Sequence, residues 1–141
     1  MVEHGAIERA ITDFWWEVDR NLGRQACAYF TEDAYFDLGG KPLVGHEAIA
    51  GFYTGREARG PRTTRHLVQN FQVRPVSPDE ATALYLMAIY GADGEPVHPA
   101  ALPILLCDVE DRLVRREDGR WLIAEHRLIA LFEGGMIVRP S

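Results

Sequence analysis

The stretch LLCDVEDRLVRREDGRWLIAEHRLIALF, residues 105–132, decides the fold. Two apolar-rich runs, Leu105 to Arg116 and Arg120 to Phe132, flank Glu117-Asp118-Gly119, and Asp-Gly between such runs marks a hairpin. Strands this long curl rather than lie flat, because every strand carries a right-handed twist. Working back toward the N-terminus, Ala81 to Tyr90 and Thr63 to Arg74 read as two more strands, turned by Pro75 to Asp79. Between Gly91 and Pro103 a loop holds Pro96, Pro99 and Pro103, none of which can donate to a central ladder.

The first third of the chain has a different period. From Gly5 to Leu22 the residues Ile7, Ile11, Phe14, Trp15, Val18 and Leu22 recur at helical spacing as one stripe, and Gly23 follows as a stop. A second short helical piece spans Arg24 to Phe30, and Ala34 to Leu38 reads as a strand. Gly39-Gly40 turns it into Lys41 to Val44, and a third helix starts at Gly45-His46-Glu47, with Ile49, Phe52 and Tyr53 on its buried face. Gly60-Pro61 ends it, and the tail holds a short edge strand at Met136 to Val138. Helices first and long strands afterwards predict one α+β domain over residues 1–141. The expected shape is a cone of curled antiparallel sheet, with about three N-terminal helices over its concave face and the first roofing an apolar cavity. The convex face, with Val109, Ile123 and Ile129 on it, then needs cover, which predicts a homodimer or homotrimer.

Bulk properties narrow the classes. The chain has 141 residues, 47% hydrophobic and 26% charged, as soluble domains do. A net charge of −6 argues against a nucleic-acid partner, since phosphate binding needs a basic face. No apolar run approaches a membrane span, and the start lacks the pattern of a signal peptide. Cys27 and Cys107 form neither a disulfide framework nor a metal-ligand spacing, so a reducing cytoplasm is the expectation.

One residue breaks the stripe of the first helix. Asp19 falls at its edge, between Trp15 and Trp16, where a carboxylate loses hydration and needs a partner or else turns into water. The leading partner is His66, on the strand across the pocket, and an Asp–His pair in an apolar cavity equips a general base. On the last strand Leu122, Ala124, His126, Leu128 and Ala130 alternate with Ile123, Glu125, Arg127 and Ile129. The smaller, more apolar set is assigned to the cavity, which makes His126 a second polar lining group or a satisfied core histidine. Phe14, Trp15, Tyr35, Phe36, Tyr53 and Leu122 complete the expected substrate-binding wall, and Tyr85 and Tyr90 are further phenols of the same kind. His46-Glu47 is better explained by the helix dipole than by a metal, and no metal is expected. His98 has no identifiable partner.

Three segments carry a resemblance: Phe30-Thr31-Glu32-Asp33-Ala34-Tyr35-Phe36 to Gly45-His46-Glu47-Ala48-Ile49, Arg65-His66-Leu67-Val68-Gln69-Asn70, and Asp111 to Trp121. They resemble the SnoaL-like branch of the nuclear transport factor 2-like superfamily, whose fold is a cystatin-like α+β barrel. The dehydratase and dehydrochlorinase members fit best, scytalone dehydratase among them. They carry an Asp late in the first helix and a His on the strand after the third, positions held here by Asp19 and His66. In such members the His takes a proton and the Asp orients it. Some place a Tyr or Lys one turn before the Asp, where this chain has Phe14, so a leaving-group acid is unassigned. The resemblance implies a cofactor-independent lyase or isomerase acting on a hydrophobic, cyclic small molecule. It equally admits a non-catalytic small-molecule-binding domain or a structural small subunit of an aromatic-ring dioxygenase.

Overall fold

The computed structural model describes residues 3–134, 139 and 140. Helix α1, His4–Asn21, buries Ile7, Ile11, Phe14, Trp15 and Val18, the stripe that the helical period dictates. It ends at Leu22 in the left-handed conformation (φ 60°), followed by Gly23 at φ 69°. Gly23 is needed for space as well as for conformation. A Cβ there would stand 2.6 Å from the Tyr53 ring. Gly23→Ala should therefore cost about 2–3 kcal/mol, from overpacking plus a strained φ. Urea titration checks it, and a variant as stable as the parent would show that Tyr53 yields freely.

A 3₁₀ turn, Ala26–Tyr29, leads into β1, Phe30–Asp37, and the two-residue β2, Leu43–Val44. Helix α2 spans His46–Ala58, and four long strands follow: β3 Arg62–Ser77, β4 Glu80–Asp93, β5 Leu105–Arg115 and β6 Trp121–Glu133. They form one curled, unclosed sheet in the order β2-β1-β6-β5-β4-β3. Every neighbouring pair is antiparallel except β1 with β6, which run parallel. Helix α1 packs against β3 and β6, so it bridges an outer strand and a central one. None of the described helices is long and apolar enough to cross a membrane.

The architecture is the expected α+β cone, with differences of physical interest. The second of the three expected helices is only the 3₁₀ turn. Strand β3 does not stop at Arg74 but runs on through Pro75, which pairs with Ala81. Because β3 is an outer strand, a missing N–H there disturbs no second ladder. Near its middle a bulge at Asn70 (φ 53°) bends the strand. A second bulge, in β6, sets Ile123 against Leu113 but Glu125 against Arg112.

That β6 bulge corrects the convex-face assignment. Before it, Ile123 points inward and is 1% exposed; after it, His126 and Leu128 do. Val109, opposite Leu128, is also an inner residue at 2% exposure, so of the three residues assigned outside only Ile129 (57%) lies there. The edge strand expected at Met136 to Val138 lies outside the described residues.

Candidate active site

Trp15 and Asp19 are one turn apart on α1 and project on the same side. On β3 the period of two places Thr64 and His66 together on the inner face. The two elements meet at one carboxylate. Asp19 Oδ1 lies 2.6 Å from His66 Nδ1 and accepts the Thr64 hydroxyl at 2.9 Å, while Oδ2 accepts the His66 backbone N–H at 2.8 Å. Asp19 therefore does not turn into water: its side chain is 3% exposed and that of His66 8%. Three donors replace its lost hydration. The Trp15 indole stacks on the imidazole at 4.3 Å between centroids and 15° between planes, fixing the ring.

Electrostatics assign the charges. Burial pulls His66 below the ordinary histidine value, against the opposing pull of Asp19. Burial pushes Asp19 up, but the bonds from His66 and Thr64 outweigh it and leave the carboxyl below its usual range. At neutral pH the pair is an ionised carboxylate beside a neutral imidazole. The Nδ1–H then faces Asp19, and the lone pair resides on Nε2. Among the described residues that Nε2 has no hydrogen-bond partner and is not sealed from solvent.

His66 stands between two concavities. One is an internal cavity lined by Trp15, Val18, Phe52, Tyr53, Met87, Ile89, Ile104 and Leu128, with Arg56, Arg62, Thr64 and His66 as its polar wall. Its interior holds ≈ 60 Å³, and counted out through its mouth the empty space is ≈ 550 Å³. The other is a surface groove between α1 and β3, where Trp16, Asp19, Arg20 and Arg65 flank His66.

A second buried pair lies behind Trp15. His126 Nδ1 is 2.6 Å from Asp111 Oδ1, and the Tyr85 hydroxyl donates to Asp111 Oδ2 at 2.7 Å. Asp111 is fully buried, His126 is 1% exposed, and its Nε2 is sealed from solvent without a partner among the described residues. Trp15 sits between the two histidines, edge-on to His126 at 5.5 Å. Sequence reasoning missed Asp111, although a signal existed. An acid stands where Leu105, Cys107, Val109 and Leu113 set an inward alternation. Thr64 and Arg56 were missed as well, since neither breaks a pattern.

Of the expected wall, Trp15 and Tyr53 line the cavity with His66. Phe14 and Phe36 lie in the core, and Phe36 packs on His126 at 5.0 Å. Tyr35 takes the Arg127 guanidinium over its ring at 4.5 Å, outside the cavity wall, and Leu122 is buried ahead of the β6 bulge. His46 Nε2 meets the Phe30 carbonyl at 2.9 Å, tying the start of α2 to β1. His98 does have a partner, the Thr63 hydroxyl at 2.9 Å, which pins the proline-containing loop to β3.

The model of the SnoaL-like domain matches residues 3–127. No curated protein matches the chain. Solved structures that do include a protein from Novosphingobium aromaticivorans designated a candidate scytalone dehydratase. It has TM-score 0.81 and 22% identity, over 97% of this chain and 89% of that one. A candidate aromatic ring hydroxylase from the same organism gives TM-score 0.77 and 25% identity, over 92% and 89%. A protein from Catenulispora acidiphila, solved in complex with S-DNPA, gives TM-score 0.72 and 23% identity, over 90% and 92%. The family model spans most of the chain, and these structures share its curled sheet: the chain belongs to the SnoaL-like domain family.

Proposed function

We propose that the chain is a small cofactor-independent lyase or isomerase for a hydrophobic cyclic compound, with the Asp19–His66 pair as its general base. One observation supports this most: the His66 Nδ1 is committed to Asp19 at 2.6 Å, while Nε2 has no partner among the described residues and the ring lines an apolar cavity. In that arrangement Nε2 takes a carbon-bound or hydroxyl proton, and the imidazolium that forms is held by the carboxylate at Nδ1. Trp15 keeps the ring in plane, and Thr64 holds the carboxylate. The pairing of an apolar wall with one base suits a substrate that loses a proton and rearranges or expels a group. The complex with S-DNPA shows that a structural relative takes a small molecule.

A pH profile tests the reading. His66 has its folded pKa below the ordinary 6.5, so folding favours the neutral ring. The resulting stability is complete above 6.5 and is lost as the pH falls from 6.5 through the folded value. Asp19, also lowered, adds a further loss below 3.8. Thermal melts should therefore shift down between pH 7 and 5. On any substrate found among cyclic alcohols, halides and enones, kcat/KM should fall on the acid side with an apparent pKa under 6.5. Activity that rises on acidification through this window would remove His66 as the base.

We also propose a homodimer or homotrimer through the convex face. Leu67, Ala88, Leu106 and Phe132 are laterally paired across β3, β4, β5 and β6, and form an apolar row there. Phe132 is 72% exposed and Ile129, close by, is 57% exposed. Patches of this kind mark association surfaces. Light scattering at micromolar concentration should give a multiple of 15.9 kDa. A monomer alone would contradict the assembly, while a homo-oligomer isolated without a second protein separates this reading from that of a dioxygenase small subunit.

A further inference from the structure

The wall of the internal cavity contains two arginines, one histidine and no carboxylate, in a chain of net charge −6. Its two cations are differently placed. Arg62 is held by Asp93, with Nη1 to Oδ1 at 2.8 Å. Arg56, on the last turn of α2, makes one side-chain hydrogen bond among the described residues: Nη2 to the Thr64 hydroxyl at 3.2 Å. No described carboxylate lies within ion-pair distance of it. The nearest acid along its contacts is Asp19, and Thr64 stands between them, giving its hydroxyl proton to Asp19. Burial disfavours the Arg56 cation, and the Arg62 charge adds to that cost. A guanidinium carries five donors in a planar fork that matches a carboxylate. The rest of that fork is not sealed from solvent and is free to meet an anionic ligand group at the cavity.

We propose that Arg56 is an anchoring residue for a carboxylate on the ligand, so that the cavity takes a ring compound bearing one anionic group. The proposal rests on the reading of this cavity as the substrate site. The anion lies on the α2 side, and the apolar body reaches toward Trp15, Met87 and His66. Such an anchor also serves the base, because Arg56, Thr64, Asp19 and His66 form one line of hydrogen bonds. The ligand carboxylate pairs with Arg56 while the Asp19 carboxylate stays with His66, and the two anions are kept apart by Thr64.

Calorimetric titration of the full chain tests this with benzoate and 2-naphthoate against benzyl alcohol and 2-naphthalenemethanol, and with acetate as the anion lacking a body. The aryl carboxylates should bind more tightly than their alcohols by about tenfold or more, and acetate should not bind measurably. Arg56→Gln should erase the preference for the acid, and Arg56→Lys should keep part of it as a point charge without a fork. His66→Gln should leave the preference in place, so loss of catalysis and loss of anchoring are read separately. Equal affinity of acid and alcohol in the parent protein overturns the proposal, as does an Arg56→Gln variant that melts like the parent and keeps the preference. Alcohols binding without acids would retain the cavity as a ligand site and overturn the anchor alone.

Discussion

His66→Gln should lower turnover by roughly 10²–10⁴ while the protein stays folded. Glutamine keeps a hydrogen-bonding group near Asp19 but has no basic nitrogen to place at the cavity. Asp19→Asn should act nearly as severely, for another reason. An amide can offer its own N–H to Nδ1, and the lone pair then shifts to the wrong side of the ring, away from the cavity. The 2.6 Å bond and the 3% exposure of Asp19 make this substitution felt in stability as well. A cost of about 1–3 kcal/mol is expected from one imperfectly paired buried group. Steady-state kinetics per folded molecule, with a thermal melt on the same samples, separates the two effects. Variants that melt early but keep full activity would place Asp19 and His66 in a structural role and leave a non-catalytic or differently catalysed site.

The second large effect is expected at Asp111, and it is the reverse in kind. Asp111→Ala removes a fully buried carboxylate that joins His126 and Tyr85, leaving a ring nitrogen unpaired in the core and the Tyr85 hydroxyl with only the Trp15 indole N–H, at 3.4 Å. Removing a buried carboxylate from the groups bonded to it costs about 3–5 kcal/mol. For a chain of this length, that is a melting temperature lower by roughly 6–20 °C. Differential scanning calorimetry reads it directly. Below the new melting point kcat should change little beside the His66 variant, because Asp111 does not line the cavity. A variant melting with the parent would mean that Asp111 contributes no net stability.

The fold was legible because its signals are periodic. The stripe from Ile7 to Val18 reports which side of α1 is buried, and it appears in the structure as read, whereas the alternation of β5 turns Val109 inward, against the outward face assigned to it. The misreading of Ile123 lies where a period is interrupted. One extra residue in β6 moves Ile123 inward, and no alternation rule can anticipate where a bulge falls. Asp19 was conspicuous because a charge among indoles contradicts its surroundings, and its contact with His66 follows from helix and strand phase together. Arg56 was not conspicuous, since a charged residue in the last turn of a helix complements the helix dipole and raises no question. Only the tertiary structure turns that side chain toward the cavity. The Asp111–His126 pair falls between these cases. His126 was noticed, but its partner is fifteen residues earlier, and only cross-strand register places them opposite each other.

The central claim, that His66 is a neutral base aimed at the cavity, is tested most directly by nitrogen NMR of its imidazole at pH 7. The account predicts a protonated Nδ1 in a strong hydrogen bond to Asp19, and an unprotonated Nε2 whose resonance moves when a cavity ligand is added. An imidazolium at pH 7, or a proton resident on Nε2 with Nδ1 bare, would contradict it.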